Sequence, residues 1–137
     1  RVDAATTGGD LSEGAIHILF RNADGTAASS VKISDGENGG PSLGGNDYFG
    51  SALTTLPDLD GNGVPELVVG AQADEATAGG DSSEGAIHIL FMNADGTASS
   101  SVKISDGENG GPSLDVFDYF GSALTTLPDL DGNGVPE

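Results

Sequence analysis

Residues 1–66 and 72–137 are two copies of one sequence, aligned without a gap at a spacing of 71. His17 returns as His88, Lys32 as Lys103, and Phe49-Gly50 as Phe120-Gly121. A repeat of this length constrains the fold more than any local propensity does. Each copy must fold in the same way and bury its apolar surface against a neighbour, and such units usually need about three or more copies to be stable. Ten of the 66 aligned pairs differ, and three of those, Gly44/Asp115, Gly45/Val116 and Asn46/Phe117, lie together just before the Phe-Gly pair. Changes confined in this way are expected in loops on one face of a repeat array.

One unit reads as four short strands, at 48–56, 66–71, 85–91 and about 100–105. Each is a run of apolar or β-branched residues bounded by Gly, Pro, Asn or Asp. Nothing reads as a helix. Asn93-Ala94-Asp95-Gly96-Thr97, like Asn22-Ala23-Asp24-Gly25-Thr26 before it, joins the third strand to the fourth. Asp-Gly between apolar strands is a hairpin signal, and a type I′ turn, with positive φ at both central residues, is the expected form. From Leu67 on the second strand is apolar throughout and is expected to be covered on both faces, whereas the fourth carries Ser and Lys and should be more exposed. That gradient from inner to outer strand suits a propeller-type blade.

Between the first two strands lies Asp58-Leu59-Asp60-Gly61-Asn62-Gly63-Val64-Pro65-Glu66, repeated as Asp129-Leu130-Asp131-Gly132-Asn133-Gly134-Val135-Pro136-Glu137. Oxygen-bearing side chains stand at positions 1, 3, 5 and 9 of the loop, with glycines at 4 and 6. Alternate oxygens on a curled loop are how a chain wraps Ca2+, which takes about 6–8 of them, and the glycines permit the curl. The first six residues match the opening of an EF-hand loop, but the acid follows at position 9 rather than 12, and strands flank the loop instead of helices. A polar turn without metal is the bland alternative.

The net charge is −18, from 22 acids against 4 bases. This argues against nucleic acid and anionic membrane as partners, since both call for a basic surface. It suits cation binding and calcium-rich surroundings. There is no cysteine, so disulfide scaffolds, thiolate metal sites and cysteine catalysis are excluded. No apolar run approaches the ~18 residues of a membrane-spanning helix.

Phe49-Gly50-Ser51-Ala52, the acidic loop, Leu67-Val68-Val69-Gly70-Ala71, and then Gly85-Ala86-Ile87-His88-Ile89-Leu90-Phe91 together resemble the FG-GAP repeat of integrin α subunits and of many bacterial secreted proteins. The resemblance implies an all-β fold of four-stranded antiparallel propeller-type blades, with Ca2+ in the loop joining the first two strands of each. Carried over residue by residue, it implies Asp58, Asp60, Asn62 and Glu66 as side-chain ligands with the Val64 carbonyl. It implies Asp129, Asp131, Asn133, Val135 and Glu137 for the second loop. Asn at position 5 and Glu at position 9 depart from the Asp often found there. The chain then divides into the C-terminal part of one repeat (1–47), one complete repeat (48–118) and the start of the next (119–137), a window on a longer array.

Other features invite weaker readings. His17 and His88, one per unit between isoleucines, are expected to pack within the blade rather than to bind zinc. Asp35, Glu37 and Asn38, with Asp106, Glu108 and Asn109, are read as acidic loop in preference to a second cation site. The serines of 27–30 and 98–101 are read as solvated strand rather than as O-glycosylation sites, and no Asn-x-Ser/Thr sequon occurs. Every acid sits in a repeated loop, whereas a catalytic constellation is normally a single asymmetric one, so no enzyme is expected. The functional expectation is a calcium-stabilised extracellular, secreted or cell-surface repeat protein with a structural or adhesive role. Its partners would be neighbouring repeats or other copies of itself. The alternative is a closed propeller that recognises a cell-surface protein or glycan.

Overall fold

The computed structural model describes residues 11–77, 79–80 and 82–137. The substituted positions Arg1, Val2, Ala4, Thr7 and Ala78, and the acid Asp81 of the loop 72–84, lie outside the described residues. Two antiparallel sheets form, and no helix occurs among the described residues. β1 (Ile16–Arg21) pairs with β2 (Ala27–Ile33), and β3 (Phe49–Leu56), β4 (Glu66–Ala71), β5 (Ala86–Met92) and β6 (Ala98–Ile104) pair in chain order. The second sheet is the expected four-stranded unit. The first is its outer half repeated: Ile16 opposes Ile33 as Ile87 opposes Ile104.

Burial follows the expected gradient. All but one residue of β4 is buried, β5 alternates between buried and half-buried, and Ser99 and Ser100 of β6 are exposed. Ile16, Ile33, Phe49, Val69, Ala71, Leu90, Met92 and Ala98 form the core. Residues of both sheets contribute, so the core lies at the joint between units rather than within one of them.

Two expectations need correction. The hairpins 22–26 and 93–97 form, but not through type I′ turns. Positive φ is found at Gly25 and Gly96 but not at Asp24 or Asp95. Gly96 N–H donates to the Asn93 carbonyl (3.0 Å), and the β5–β6 register shifts between Phe91 and Met92. This is a type I turn followed by a glycine bulge. The Asp95 carboxylate selects it by accepting the Thr97 N–H (3.0 Å) and hydroxyl (2.6 Å).

The second correction concerns 119–127, the expected first strand of the next unit. It forms only an isolated bridge, Gly85 to Phe120. β3 is a strand because β4 supplies its ladder, and among the described residues no strand supplies one to 119–127. The segment nevertheless lies beside β3, with the Thr54 and Thr126 hydroxyls 2.9 Å apart and Thr126 Oγ1 donating to the Thr55 carbonyl (2.6 Å).

The Phe-Gly pair gains a physical meaning here. Phe120 N–H donates to the Glu84 carbonyl, and Phe49 N–H to that of Glu13, at 2.8 Å in both cases. The glycine that follows each acceptor lies against the phenylalanine backbone. A Cβ on Gly85 would stand 2.2 Å from the Phe120 carbonyl oxygen, and φ there is +92°. Only glycine meets both demands. This contact ties each unit to the next.

Candidate metal centre

The loop 58–66 folds around its first residue. Asp58 Oδ1 accepts N–H groups from Gly61 (2.7 Å) and Asn62 (3.1 Å), and Oδ2 accepts that of Gly63 (2.7 Å). Gly61 and Gly63 have φ of +81° and +87°, which turns their N–H groups inward. These donors, Gly63 first, hold the Asp58 carboxyl below the usual carboxylate range, and Gly134 with its neighbours does the same for Asp129. Both aspartates are therefore ionised over the whole ordinary pH range.

Asp58, Asp60 and Glu66 each bring a carboxylate oxygen within 4.8 Å of the others, and Asp129, Asp131 and Glu137 do the same. Glu66 is fully buried, at 0% exposure. No ion pair among the described residues reaches these carboxylates. Three converging acids, one of them sealed from water, could hold a cation, and an all-oxygen donor set is the kind that hard Ca2+ takes. The residues present therefore fit the metal that the resemblance implies. The Asn62 amide is placed differently from the carboxylates: Oδ1 accepts the Val64 N–H (2.7 Å), and Nδ2 donates to the Met92 carbonyl (2.9 Å). The second loop is exposed throughout except for half-buried Pro136.

The other acidic positions pin loops. Asp35 and Asp106 accept the Leu43 and Leu114 N–H groups (2.8 and 2.7 Å), while Glu37 and Glu108 accept the Ser34 and Ser105 hydroxyls (2.9 and 2.8 Å). Among the described residues they form no cluster of three potential ligands.

A polar cluster that the sequence reading missed lies at the joint between units. His88, 1% exposed, donates from Nε2 to Asp74 Oδ2 (2.8 Å) and meets the Phe49 ring edge-on at 5.6 Å. Lys103 Nζ donates to Asp74 Oδ1 (2.7 Å) and to the Glu75 carbonyl. Burial opposes ionisation of Asp74, but His88 and Lys103 outweigh it and hold the carboxyl below the usual range. The available signal was positional: Asp74, His88 and Lys103 all recur at the repeat spacing as Asp3, His17 and Lys32. His17 is exposed, and Asp3 lies outside the described residues.

Asp47, also buried, behaves in the opposite way. Burial first, and then the charge of Asp74, push its carboxyl up to about 7, with the Gly44 N–H and Lys103 pulling back and Glu75 adding to the rise. A carboxyl with a raised folded-state pKa takes up a proton on folding, so its contribution to stability falls as pH rises from about 4 to about 7. Asp74 contributes with the reverse sign, its stabilisation being lost as the pH falls. Asp47→Asn is expected to flatten the fall and to raise stability by about 3 kcal/mol at pH 8, with little gain at pH 4. Urea denaturation at the two pH values checks this.

Comparison with known proteins places these features. The sequence model of the FG-GAP repeat matches residues 49–90, which span β3, the acidic loop, β4 and most of β5. Integrin alpha-5 of Xenopus laevis is 33% identical over 89 residues, covering 65% of this chain and 8% of that protein. Integrin alpha pat-2 of Caenorhabditis elegans is 25% identical over 124 residues, covering 90% of this chain and 9% of that protein. The chain thus spans less than a tenth of the length of either relative. A four-stranded antiparallel sheet with the Phe-Gly contact at its start, an acidic loop between its first two strands and a family match across both identify residues 49–90 as an FG-GAP repeat.

Proposed function

We propose that the chain is a calcium-stabilised segment of an extracellular FG-GAP repeat protein whose role is structural or adhesive. Its ligands would be Asp58, Asp60, Asn62, Glu66 and the Val64 carbonyl, and in the second loop Asp129, Asp131, Asn133, Glu137 and the Val135 carbonyl. The observation that carries this reading is the convergence of Asp58, Asp60 and fully buried Glu66 with no cationic side chain among them. Bound calcium would offset their mutual repulsion and pin the connection between β3 and β4. No reaction is assigned to the chain. The proposed organisation is part of one repeat at 1–47, a whole repeat at 48–118 and the start of another at 119–137, and the natural partners are neighbouring repeats or other copies. A ligand bound only by the folded state stabilises it by about 2.7 kcal/mol at a hundredfold excess over Kd. Saturating Ca2+ is therefore expected to raise the melting temperature by on the order of 10 °C over EDTA. Identical melts would refute the calcium reading. Sedimentation of the calcium-loaded chain over a range of concentrations tests self-assembly.

A second reading, recognition of a protein or glycan, draws on the substituted segment before Phe120. Phe117 is 59% and Tyr119 42% exposed, with ring centroids 6.1 Å apart. Replacing both with alanine would abolish binding of a surface ligand while leaving calcium affinity unchanged.

A further inference from the structure

Beyond pinning its own loop, the calcium site is wired to the joint with the preceding repeat. β4 begins at Glu66, and the β4–β5 ladder starts with Leu67 opposite Leu90. Continuing this register would set Pro65 opposite Met92, and proline has no N–H to offer. The carbonyl of the last residue of β5 would therefore lack a main-chain donor on that side, and loop side chains hold both of its backbone groups. Glu66 Oε2 accepts the Met92 N–H (2.8 Å), Oε1 accepts the Leu59 N–H (3.2 Å), and Asn62 Nδ2 donates to the Met92 carbonyl (2.9 Å). Both backbone groups of Met92 are thus held by residues of the acidic loop.

Met92 leads directly into the turn 93–97, which seats on the preceding unit. A Cβ on Gly96 would stand 3.1 Å from the Phe20 ring and 3.3 Å from Ile18 Cγ2. Ala98 N–H donates to the Asn38 carbonyl (3.0 Å). A cavity of about 260 Å³ lies at this seam, lined among others by Ile18, Phe20, Val64, Pro65, Met92 and Gly96.

We infer that occupancy of the 58–66 loop controls the stiffness of the joint between repeats, through Glu66 and Asn62 acting on Met92. The inference rests on the calcium reading given above. With calcium bound, the three carboxylates stay together and Glu66 keeps its grip on Met92. Without it, their repulsion spreads the loop, Met92 loses both partners, and the turn loosens from Phe20. Asn62 is then a positioning residue as well as a candidate ligand. The amide group at this position supplies a donor that an aspartate could not.

Amide hydrogen exchange of the full chain, in CaCl2 and in EDTA, tests this. Exchange at Met92 and Ala98 is expected to quicken at least tenfold in EDTA, while His88, in the middle of the β4–β5 ladder, changes severalfold less. Asn62→Asp is expected to bind calcium at least as tightly as the parent, because it adds a carboxylate, yet to lose part of the calcium-dependent protection at Ala98, since the Met92 carbonyl loses its donor while the Met92 N–H stays with Glu66. Failure of the parent to bind calcium would remove the reading on which the inference stands. Calcium binding that leaves Met92 and Ala98 exchange unchanged, or that quickens all three amides alike on removal, would overturn the coupling itself. Parent-like protection in a calcium-bound Asn62→Asp chain would remove Asn62 from the clasp.

Discussion

Glu66→Ala is expected to lower stability by about 4 kcal/mol with calcium present and by about 2 kcal/mol in EDTA. The residue is fully buried and accepts two backbone N–H groups, from Leu59 and Met92. Alanine leaves the buried Met92 donor unsatisfied, at a cost of about 1–3 kcal/mol, and opens a void where the carboxylate stood. Part of that loss is offset in EDTA, because the mutation also removes one of three mutually repelling acids. With calcium bound there would be no such offset, and a proposed ligand would be lost as well. Glu66→Gln should fall between the two, since it keeps one oxygen acceptor and loses the charge. Urea denaturation with and without calcium measures the difference. An equal loss in both conditions would mean that Glu66 is a structural anchor with no part in metal binding.

Asp74→Ala is expected to cost about 3–5 kcal/mol at pH 7, whether or not calcium is present. Among the described residues Asp74 is the acid that pairs with His88, and it also holds the Lys103 ammonium. Removing it leaves one polar ring buried and one cation half-buried without their partner, and this is the costly way to break a buried ion pair. Relief of Asp47, whose proton is held partly by the charge of Asp74, returns a small part of the loss. Asp74→Asn keeps an oxygen acceptor for one of the two donors and should cost less. A change below about 1 kcal/mol would show that the cluster is solvated in solution rather than sealed at the joint.

The repeat made most of the fold legible. The strand at 66–71 was read to its observed limits, and the other three strands of the complete unit to within two residues, because apolar runs bounded by glycine, proline and acids leave little freedom. The hairpins were legible but their turn type was not. Asp-Gly alone does not reveal that Thr97, two residues on, would capture the Asp95 carboxylate and favour a type I turn with a bulge. The strand expected at 119–127 failed for a non-local reason, since strand formation depends on a partner that the residues themselves do not carry. The oxygen pattern of the acidic loop could be read from spacing, and the carboxylates of Asp58, Asp60 and Glu66 do converge. What spacing could not give was the second task of Glu66 and Asn62 at Met92, 26 and 30 residues away. The Asp74–His88–Lys103 cluster was hidden in the same way. Its members lie 14 and 29 residues apart, and only the folded sheet brings them together.

Calcium titration of the intact chain by calorimetry, alongside Asp58→Ala, tests the central claim most directly. The account predicts saturable binding by the parent in the range of about 10⁻⁴–10⁻³ M typical of extracellular modules, or tighter. The buried-anchor loop at 58–66 should be the stronger site and the exposed loop at 129–137 the weaker one. Asp58→Ala should lose the stronger site and keep the other. No saturable uptake by the parent at millimolar calcium, or an isotherm unchanged by Asp58→Ala, would contradict it.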